Sequence, residues 1–485
     1  MSRMLSVANV MGLIVVLFGA TLALPIAVSW WLDDGALAAY DEALSIALAG
    51  GGGSWWLTRR FRRELTPRDG FVLVIATWIG LPALAALPLW LQIPGLSFTD
   101  AYFEAASGFS ATGATVLSGL EHLPPSINVW RTELHWIGGL GIIVLAVAIL
   151  PLLGVGGRQL YRAEIPGPMK DTRLTPRVTE TAKGFWVIYV VLTMACWTAY
   201  YLAGMDALDA LIHAFSTMAL GGFSSYDASL GHFDSPLIEA IAIVFMMLAS
   251  LSYATHFLAW RRRTLVVYWR DPEAFIFVGV LLASMLGIAA FLWLHEVYAS
   301  FWTALRYAAF NTASVATTLG FSTTDYAQWP VFAPIWMLFL CTFMTCSAST
   351  GGGIKLIRAR LMLQQIGREM TQLVHPRAEV PLRVGGSVVP NKIIFAVLGF
   401  MALYGSTTLL VVFLLTATGL DFLTAVSAAV ACINNTGPGL GAVGPATTYA
   451  GLSDFQTWVC SAAMLLGRLE LFTLLVVFSP HFWRH

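Results

Sequence analysis

Four uncharged stretches are the first place to look for chemistry. Ser107-Gly-Phe-Ser-Ala-Thr-Gly113, Ser216-Thr-Met-Ala-Leu-Gly-Gly222, Ser314-Val-Ala-Thr-Thr-Leu-Gly320 and Ala431-Cys-Ile-Asn-Asn-Thr-Gly437 each end a candidate helix on a glycine. The glycines are spaced by 109, 98 and 117 positions. No carboxylate, amine or imidazole lies in any of the four, so they offer no acid–base or nucleophilic chemistry. They offer backbone oxygen. Loop carbonyls can replace the water shell of a cation, and glycine allows the backbone angles that turn them inward. The candidate lining oxygens belong to Ala111, Thr112 and Gly113; Leu220, Gly221 and Gly222; Thr318, Leu319 and Gly320; Asn435, Thr436 and Gly437. Their side chains differ from loop to loop, which argues for coordination by backbone. A carboxylate ring selecting divalent ions is unlike anything these loops contain.

The register of the stretches is set by what precedes them. Twelve residues before the glycines stand Ala101, Ala210, Ala308 and Ala425, and eight before stand Ala105, Ala214, Thr312 and Ala429. Six before stand Ser107, Ser216, Ser314 and Ala431. Positions four apart share one helix face, and small residues there let another helix pack closely. Taking Gly221 as the second anchor puts Asp209 and His213 in those slots and loses the match, so Gly222 is the aligned residue.

The elements that must hold these loops are membrane helices. The 485 residues are 58% hydrophobic and 11% charged, roughly half the charge of a soluble domain. Long apolar runs recur too often for one buried core. The first begins near Leu5, is too long for a signal-peptide core and reads as a retained helix. Two helices lead, over residues 5–31 and 36–56. Four units follow, each an apolar helix, a short helix ending in the glycine loop, and a second apolar helix. The predicted segments are 71–91, 100–111 and 129–153; 184–202, 207–219 and 237–260; 274–294, 301–317 and 331–362; 392–415, 422–433 and 455–478. At about 1.5 Å per residue the short helices cannot cross a bilayer, so each must enter and return. The expected organisation is a two-helix unit (residues 1–69) and pore repeats over 70–183, 184–272, 273–389 and 390–485.

Charge sorts the two sides. Of 27 Lys and Arg, all but Arg131, Arg306 and Arg468 fall in the segments 59–68, 158–183, 261–270 and 355–392 or near the termini. Asp33, Asp34, Asp100, Glu121, Asp206, Asp227, Asp234, Glu296 and Asp325 fall on the other side. By the positive-inside rule this gives ten spanning helices, four re-entrant loops and both termini in the cytoplasm. Irregular backbone is tolerated at membrane depth where it lines a watery cavity, so the loops should converge on a common axis. The fold class is an all-α polytopic membrane protein with four helix–pore-loop–helix repeats around a pseudo-four-fold pore, plus the N-terminal pair. Helix C-termini aimed at the axis carry partial negative charge and favour a cation.

Two further features bear on the path. Cys346-Ser347-Ala-Ser349-Thr350-Gly351-Gly352-Gly353-Ile-Lys355 interrupts the second helix of the third unit. Three glycines in a spanning helix cost about 1 kcal/mol each against alanine. The stretch reads as a polar loop at membrane depth, or as a helix that ends at Ser347 before a cytoplasmic loop. Its glycine–lysine spacing is wrong for a phosphate loop. Arg468 is a cation in an apolar helix, where charges face a cavity or a partner. It is either half of a buried ion pair or a fixed charge beneath the loops that raises the barrier for cations. Glu470, two residues on, lies on another helix face.

The remaining candidates read as structural. Cys196, Cys341, Cys346, Cys432 and Cys460 lack metal-ligand spacing and read as reduced packing residues. His135 and His213 read as packing or interfacial residues, and Arg306 as the partner of a nearby acid. His295-Glu296 lacks the second histidine of a zinc protease motif. No nucleophile–base set appears at helical spacing, which argues against an enzyme, and no nucleotide motif appears.

The layout and loops resemble the Trk/Ktr/HKT superfamily of potassium transporters, most closely the Trk-type (TrkH-like) pore-forming subunit. The residues that carry the resemblance are Thr112-Gly113-Ala-Thr, Gly222-Phe-Ser, Leu319-Gly320-Phe-Ser-Thr-Thr-Asp325, Asn434-Asn-Thr-Gly437-Pro-Gly-Leu-Gly441, Trp136-Ile-Gly-Gly-Leu-Gly141 and Gly467-Arg468-Leu-Glu470. It spans nearly the whole chain. It implies potassium uptake, with rubidium accepted, across a bacterial inner membrane through a single-glycine filter. It also implies a gate made of the loop Cys346–Lys355 and of Arg468 as a pore charge. Its implied partners are a second copy of the chain and a cytosolic, TrkA-like ring of nucleotide-binding subunits, through which ATP, ADP or NAD would act. It implies no covalent cofactor and no nucleic acid. The basic segments 158–183 and 355–392 are candidate docking surfaces or ordinary topology signals. The second loop departs from the Thr-Gly pattern of the first. A sodium- or proton-coupled symporter is the competing reading; it needs an intramembrane carboxylate, and Glu470 is the one offered.

Overall fold

The computed structural model of the chain describes residues 2–61, 65–141 and 178–483. The apolar N-terminal run forms α1, Met4–Leu32, which packs on α2, Leu37–Thr58. Small residues let the two backbones meet: a Cβ on Gly12 would lie 2.6 Å from the Gly51 carbonyl oxygen. The turn between them is fixed by Asp34. Its carboxylate accepts from Ser29 Oγ at 2.5 Å, Ala36 N at 3.2 Å and, from the first repeat, Ser126 N at 2.9 Å.

The first repeat contains α3, Pro67–Gln92, α4, Phe98–Phe109, and α5, Pro125–Trp136, which runs into a π-helical turn at Ile137–Gly141. Thr66 and Asp69 form a capping box at the start of α3. The predicted inner end of the second helix and most of the basic segment 158–183 lie outside the described residues. The second repeat contains α6, Val178–Leu202, α7, Ala207–Ala219, α8, Pro236–Ser250, and α9, Tyr253–Arg262. The third contains α10, Ala274–Leu294, α11, Phe301–Ala316, α12, Phe332–Cys341, and α13, Leu356–Val374. A short hairpin, Arg383–Val384 with Ser387–Val388, turns through Gly385 and Gly386, both at positive φ. It leads to the fourth repeat: α14, Asn391–Ala417, α15, Phe422–Asn434, α16, Asp454–Arg468, and α17, Phe472–Phe478.

The second helices differ from expectation. The sequence reading broke only the third repeat's, yet all four leave the α-helix in the described residues. The second repeat's bends by 92° after Ser250 and the fourth's by 111° after Arg468. In the third the helix stops at Cys341, several residues before the predicted break. In repeats one and four, close packing on the short helices accompanies the break. A Cβ on Gly138 would run into the Phe109 carbonyl oxygen, and one on Gly467 into that of Ile433. Carbonyls freed by a break are satisfied by neighbouring protein rather than lipid; that of Ser250 accepts from Cys346 N at 3.1 Å.

Of the ten spans expected, five described helices are long and apolar enough to cross, and seven if each bent pair counts as one. The difference lies in the second helices of repeats one and three and in α2, whose Asp41, Glu42 and four glycines lower its hydropathy. The exterior is that of a protein in lipid. Leu202, Leu294 and Phe395 are 78%, 71% and 68% exposed on long apolar helices. Exposed Trp30, Trp31, Trp293, Trp302 and Trp260 lie at helix ends, the distribution of interface anchors.

Candidate functional site

The short helices α4, α7, α11 and α15 have 12, 13, 16 and 13 residues, too few to cross a ~30 Å core. Each begins on a side chain that accepts a free helix N–H: Ser97, Asp206, Ser300 and Asp421. Each ends the same way despite unlike sequences. Ala111, Leu220, Thr318 and Asn435 take left-handed angles, with φ between 52° and 64°. The next residue's N–H then reaches back to a carbonyl five positions earlier. These bonds are Thr112 N to Ser107 O at 2.8 Å, Gly221 N to Ser216 O at 2.9 Å, Leu319 N to Ser314 O at 2.8 Å and Thr436 N to Ala431 O at 2.9 Å. This is the Schellman ending. It stops the helix and sends the chain back the way it came. Sequence reasoning assigned the special angle to the glycine alone; a second one sits two residues earlier, on a residue with a Cβ.

The glycines follow with φ of 84° to 89°, and they meet. A Cβ on Gly113 would lie closer than 3.0 Å to the Gly221 carbonyl oxygen, one on Gly222 to that of Leu319, one on Gly320 to that of Thr436, and one on Gly437 to that of Thr112. The contacts close a ring through all four repeats in order. Glycine is required here twice over, for its angle and because each neighbour's backbone occupies the space a side chain would need. The twelve predicted loop residues are brought together at this ring. Among them Ala111, Thr112, Leu220, Thr318, Leu319, Asn435 and Thr436 are at most 1% exposed. Asn435 links the fourth loop to the first, Nδ2 donating to Thr112 Oγ1 at 2.8 Å and to Met464 O at 3.0 Å. What the ring offers a ligand is carbonyl oxygen and four helix C-termini, which suits a dehydrated alkali cation carried as substrate.

On the side of the ring reached by the short helices lies the loop Thr342–Lys355. It is largely buried and packs against the ends of the short helices; it is called the plug. Gly352 N donates to Thr318 Oγ1 at 3.0 Å, and Thr350 Oγ1 to Met218 O at 3.1 Å. Gly351 faces Thr317, and Gly352 faces Asn434, with no room for a Cβ at either. Lys355 is 2% exposed and turns back into its own loop, Nζ donating to Gly351 O at 2.7 Å and to Ser349 Oγ at 3.4 Å. Thr345 Oγ1 closes the loop on Gly352 O at 2.7 Å. Cys346 is fully buried, and Ser349 Oγ donates to its carbonyl at 2.7 Å. Ser347 N and Oγ both donate to Glu273, and Ile357 N does so at 2.9 Å. One carboxylate thus ties the middle of the loop to the start of α13; sequence reasoning missed Glu273.

Arg468 is not deep in a continuous helix. It closes the half-helix α16 and donates to Thr350 O at 2.8 Å, Gly138 O at 2.8 Å and Gly139 O at 2.5 Å. The guanidinium therefore holds the plug of repeat three against the π-helical turn of repeat one. Glu470 takes a left-handed angle just beyond the break and accepts from Arg358 Nη2 at 2.6 Å. Arg306 binds Glu239 at 2.6 Å and Asp234 at 2.8 Å, the acid pairing expected. His135 stacks on Phe223 with ring centroids 4.2 Å apart, and its ring fills the space where Gly221 would carry a Cβ.

Four re-entrant helices closing one ring of backbone, inside a shell of apolar helices, define a polytopic helical membrane protein of the pore-loop class. Residues 40–485 match the TrkH family, described as a cation transport protein, and the chain belongs to that family. It is 46% identical over 480 residues to the Trk system potassium uptake protein TrkH of Salmonella typhimurium, covering 99% of each chain. It is 46% identical over 486 residues to the protein of that name from Vibrio parahaemolyticus, again over 99% of each. A crystal structure titled as the potassium transporter TrkH from Vibrio parahaemolyticus superposes with a TM-score of 0.89 at 42% identity, over 99% of this chain and 100% of that one.

Proposed function

We propose that this chain carries potassium inward across a bacterial inner membrane, through a filter made by the carbonyl oxygens of the four glycine loops. The observation that supports it most is the closed ring of Gly113, Gly222, Gly320 and Gly437, each at positive φ against a neighbour's carbonyl oxygen. The relatives' names, potassium uptake proteins, agree. In this reading the helix C-termini lower the energy of a bare cation at membrane depth, and the carbonyls stand in for its hydration shell. Ala111, Leu220, Thr318 and Asn435 set the angle at which each loop leaves its helix.

The gate we propose is the plug Thr342–Lys355 with Arg468. The Thr318 hydroxyl and the Met218 carbonyl at the short-helix ends hold the plug, and Arg468 adds a fixed positive charge to the same place. Movement of α13 would draw on Lys355 and Glu273 and withdraw the plug. We assign that movement to a cytosolic, TrkA-like nucleotide-binding ring seated on the basic segments, with ATP, ADP or NAD acting only through it. The assembly is a homodimer, both termini lie in the cytoplasm, and the repeats begin near residues 70, 184, 273 and 390. Glu470, the carboxylate a coupled symporter would use, is engaged with Arg358, which favours uptake without coupling.

The test is uptake of labelled rubidium by vesicles holding the purified protein. Potassium should block it, while sodium at the same concentration should not. Block by sodium, or uptake that stops when a sodium or proton gradient is abolished at constant membrane potential, would favour the symporter.

A further inference from the structure

In three of the four repeats a side chain nine residues before the ring glycine braces the strand that leaves the ring. These positions hold Glu104, His213, Asn311 and Ala428, a register the alanine alignment passes over. Glu104 accepts from Thr115 Oγ1 at 2.9 Å and from Val116 N at 3.0 Å. These partners lie two and three residues past Gly113. His213 Nε2 pairs with Ser224 Oγ at 2.9 Å, two residues past Gly222. Asn311 Nδ2 donates to Thr323 Oγ1 at 2.9 Å, and its Oδ1 accepts from Thr323 N at 3.2 Å, three residues past Gly320. In the fourth repeat, where the position is Ala428, the residue before it serves. Ser427 Oγ accepts from Leu440 N at 2.8 Å and donates to Leu440 O at 3.1 Å, three past Gly437. All four bracing side chains are at most 1% exposed.

In the first repeat the brace extends into the second. Arg131 Nη2 lies 2.7 Å from Glu104 Oε1, with both side chains fully buried. Arg131 Nη1 donates to Asn128 Oδ1 at 3.0 Å and to Ser224 O at 3.1 Å, and its guanidinium lies 4.2 Å over the Phe223 ring. The same arginine lines the cavity that opens onto all four ring glycines. An uncompensated cation there would oppose cation entry; Glu104 supplies the compensating charge.

We infer that Glu104, His213, Asn311 and Ser427 are positioning residues for selectivity: each clamps the outgoing strand of its loop to its own short helix and so fixes the diameter of the carbonyl ring. The inference rests on the uptake reading above. Its physical basis is that a carbonyl ring discriminates between ions of different radius only if its oxygens resist moving inward. Hydrogen bonds inside a dry interior supply that resistance. The chemistry differs in each repeat, so the ring is held unequally, most firmly by the ion pair of the first.

Asn311→Ala, Asn311→Asp, Ser427→Ala and Glu104→Gln, purified beside the wild type, test it. Two quantities are read: the ratio of sodium to potassium concentrations that half-block rubidium uptake, and the thermal midpoint in detergent. Asn311→Ala should keep rubidium uptake while the ratio falls about tenfold, equivalent to ~1.4 kcal/mol. Asn311→Asp should restore the ratio to within about twofold, because its carboxylate still accepts from Thr323 N and Oγ1. Glu104→Gln strands the Arg131 charge and should lower both uptake and ratio. If Asn311→Ala proves unstable, Ser427→Ala, which removes a single oxygen, should show the same fall. Lowered midpoints with an unchanged ratio would mean that these side chains only hold the fold, and the inference would be overturned. Uptake by the wild type that potassium does not block would overturn the transport reading itself, and this inference with it.

Discussion

At the scale of single residues, the ring glycines tolerate no replacement. Gly222→Ala would place a Cβ against the Leu319 carbonyl oxygen at a φ of 89°. The left-handed angle alone costs a side chain about 1–2 kcal/mol, and the collision adds to it. Rubidium uptake should fall to background while the protein still inserts; normal uptake would remove the glycine ring from the ion path. Arg468 makes the opposite prediction. At an effective dielectric of about 20, a unit charge several ångströms away opposes a cation by a few kcal/mol, and the three carbonyl bonds of Arg468 also hold the plug in place. Arg468→Ala should therefore raise flux in a liposome assay by roughly tenfold or more. Unchanged or lower flux at equal protein amounts would leave the arginine a structural role only.

At the scale of elements, the broken second helices are where sequence and structure part most. The anchor of the third repeat's break can be tested by pH. Glu273 caps the start of α10 just outside the span. Burial pushes its carboxyl up to about 7 from the usual 4.5, with Asp271 adding to the rise and the donors Ser347 and Ile357 opposing it. A carboxyl raised in this way favours the folded protein below its ordinary value. That contribution disappears as pH climbs through 7, because the charged form is the buried one. Glu273→Gln has no such dependence. Between pH 5 and pH 8 the thermal midpoint of the wild type should fall relative to that of the variant. A difference constant with pH would mean that Glu273 is ionised throughout. The other element-level device is the Schellman ending. Its four left-handed residues are alanine, leucine, threonine and asparagine, so no residue type announces it.

At the scale of the whole molecule, the four repeats make one object only when closed. The contacts run from Gly113 to Gly221, Gly222 to Leu319, Gly320 to Thr436 and Gly437 back to Thr112. Loss of any one repeat opens the ring. The rubidium competition experiment belongs to this scale, since in the proposed reading uptake depends on the summed geometry of the loop oxygens and on no single residue. Arg468 joins repeats four, three and one, and Arg131 joins one and two.

The sequence by itself determined the class of the protein, the number of repeats and the register of the glycine loops. Composition, charge sorting and small-residue spacing are local, and each can be counted along the chain. It also marked the polar break at Cys346–Lys355, because three glycines in an apolar run are visible wherever they fold. What only the tertiary structure decided were relations between distant segments: that Gly138 and Gly467 abut short-helix carbonyls, that Glu104 meets Arg131, and that Glu273 binds both Ser347 and Ile357. In a sequence a buried carboxylate looks like an exposed one. Its partner is chosen by packing, and packing is settled only when the repeats close around their common axis.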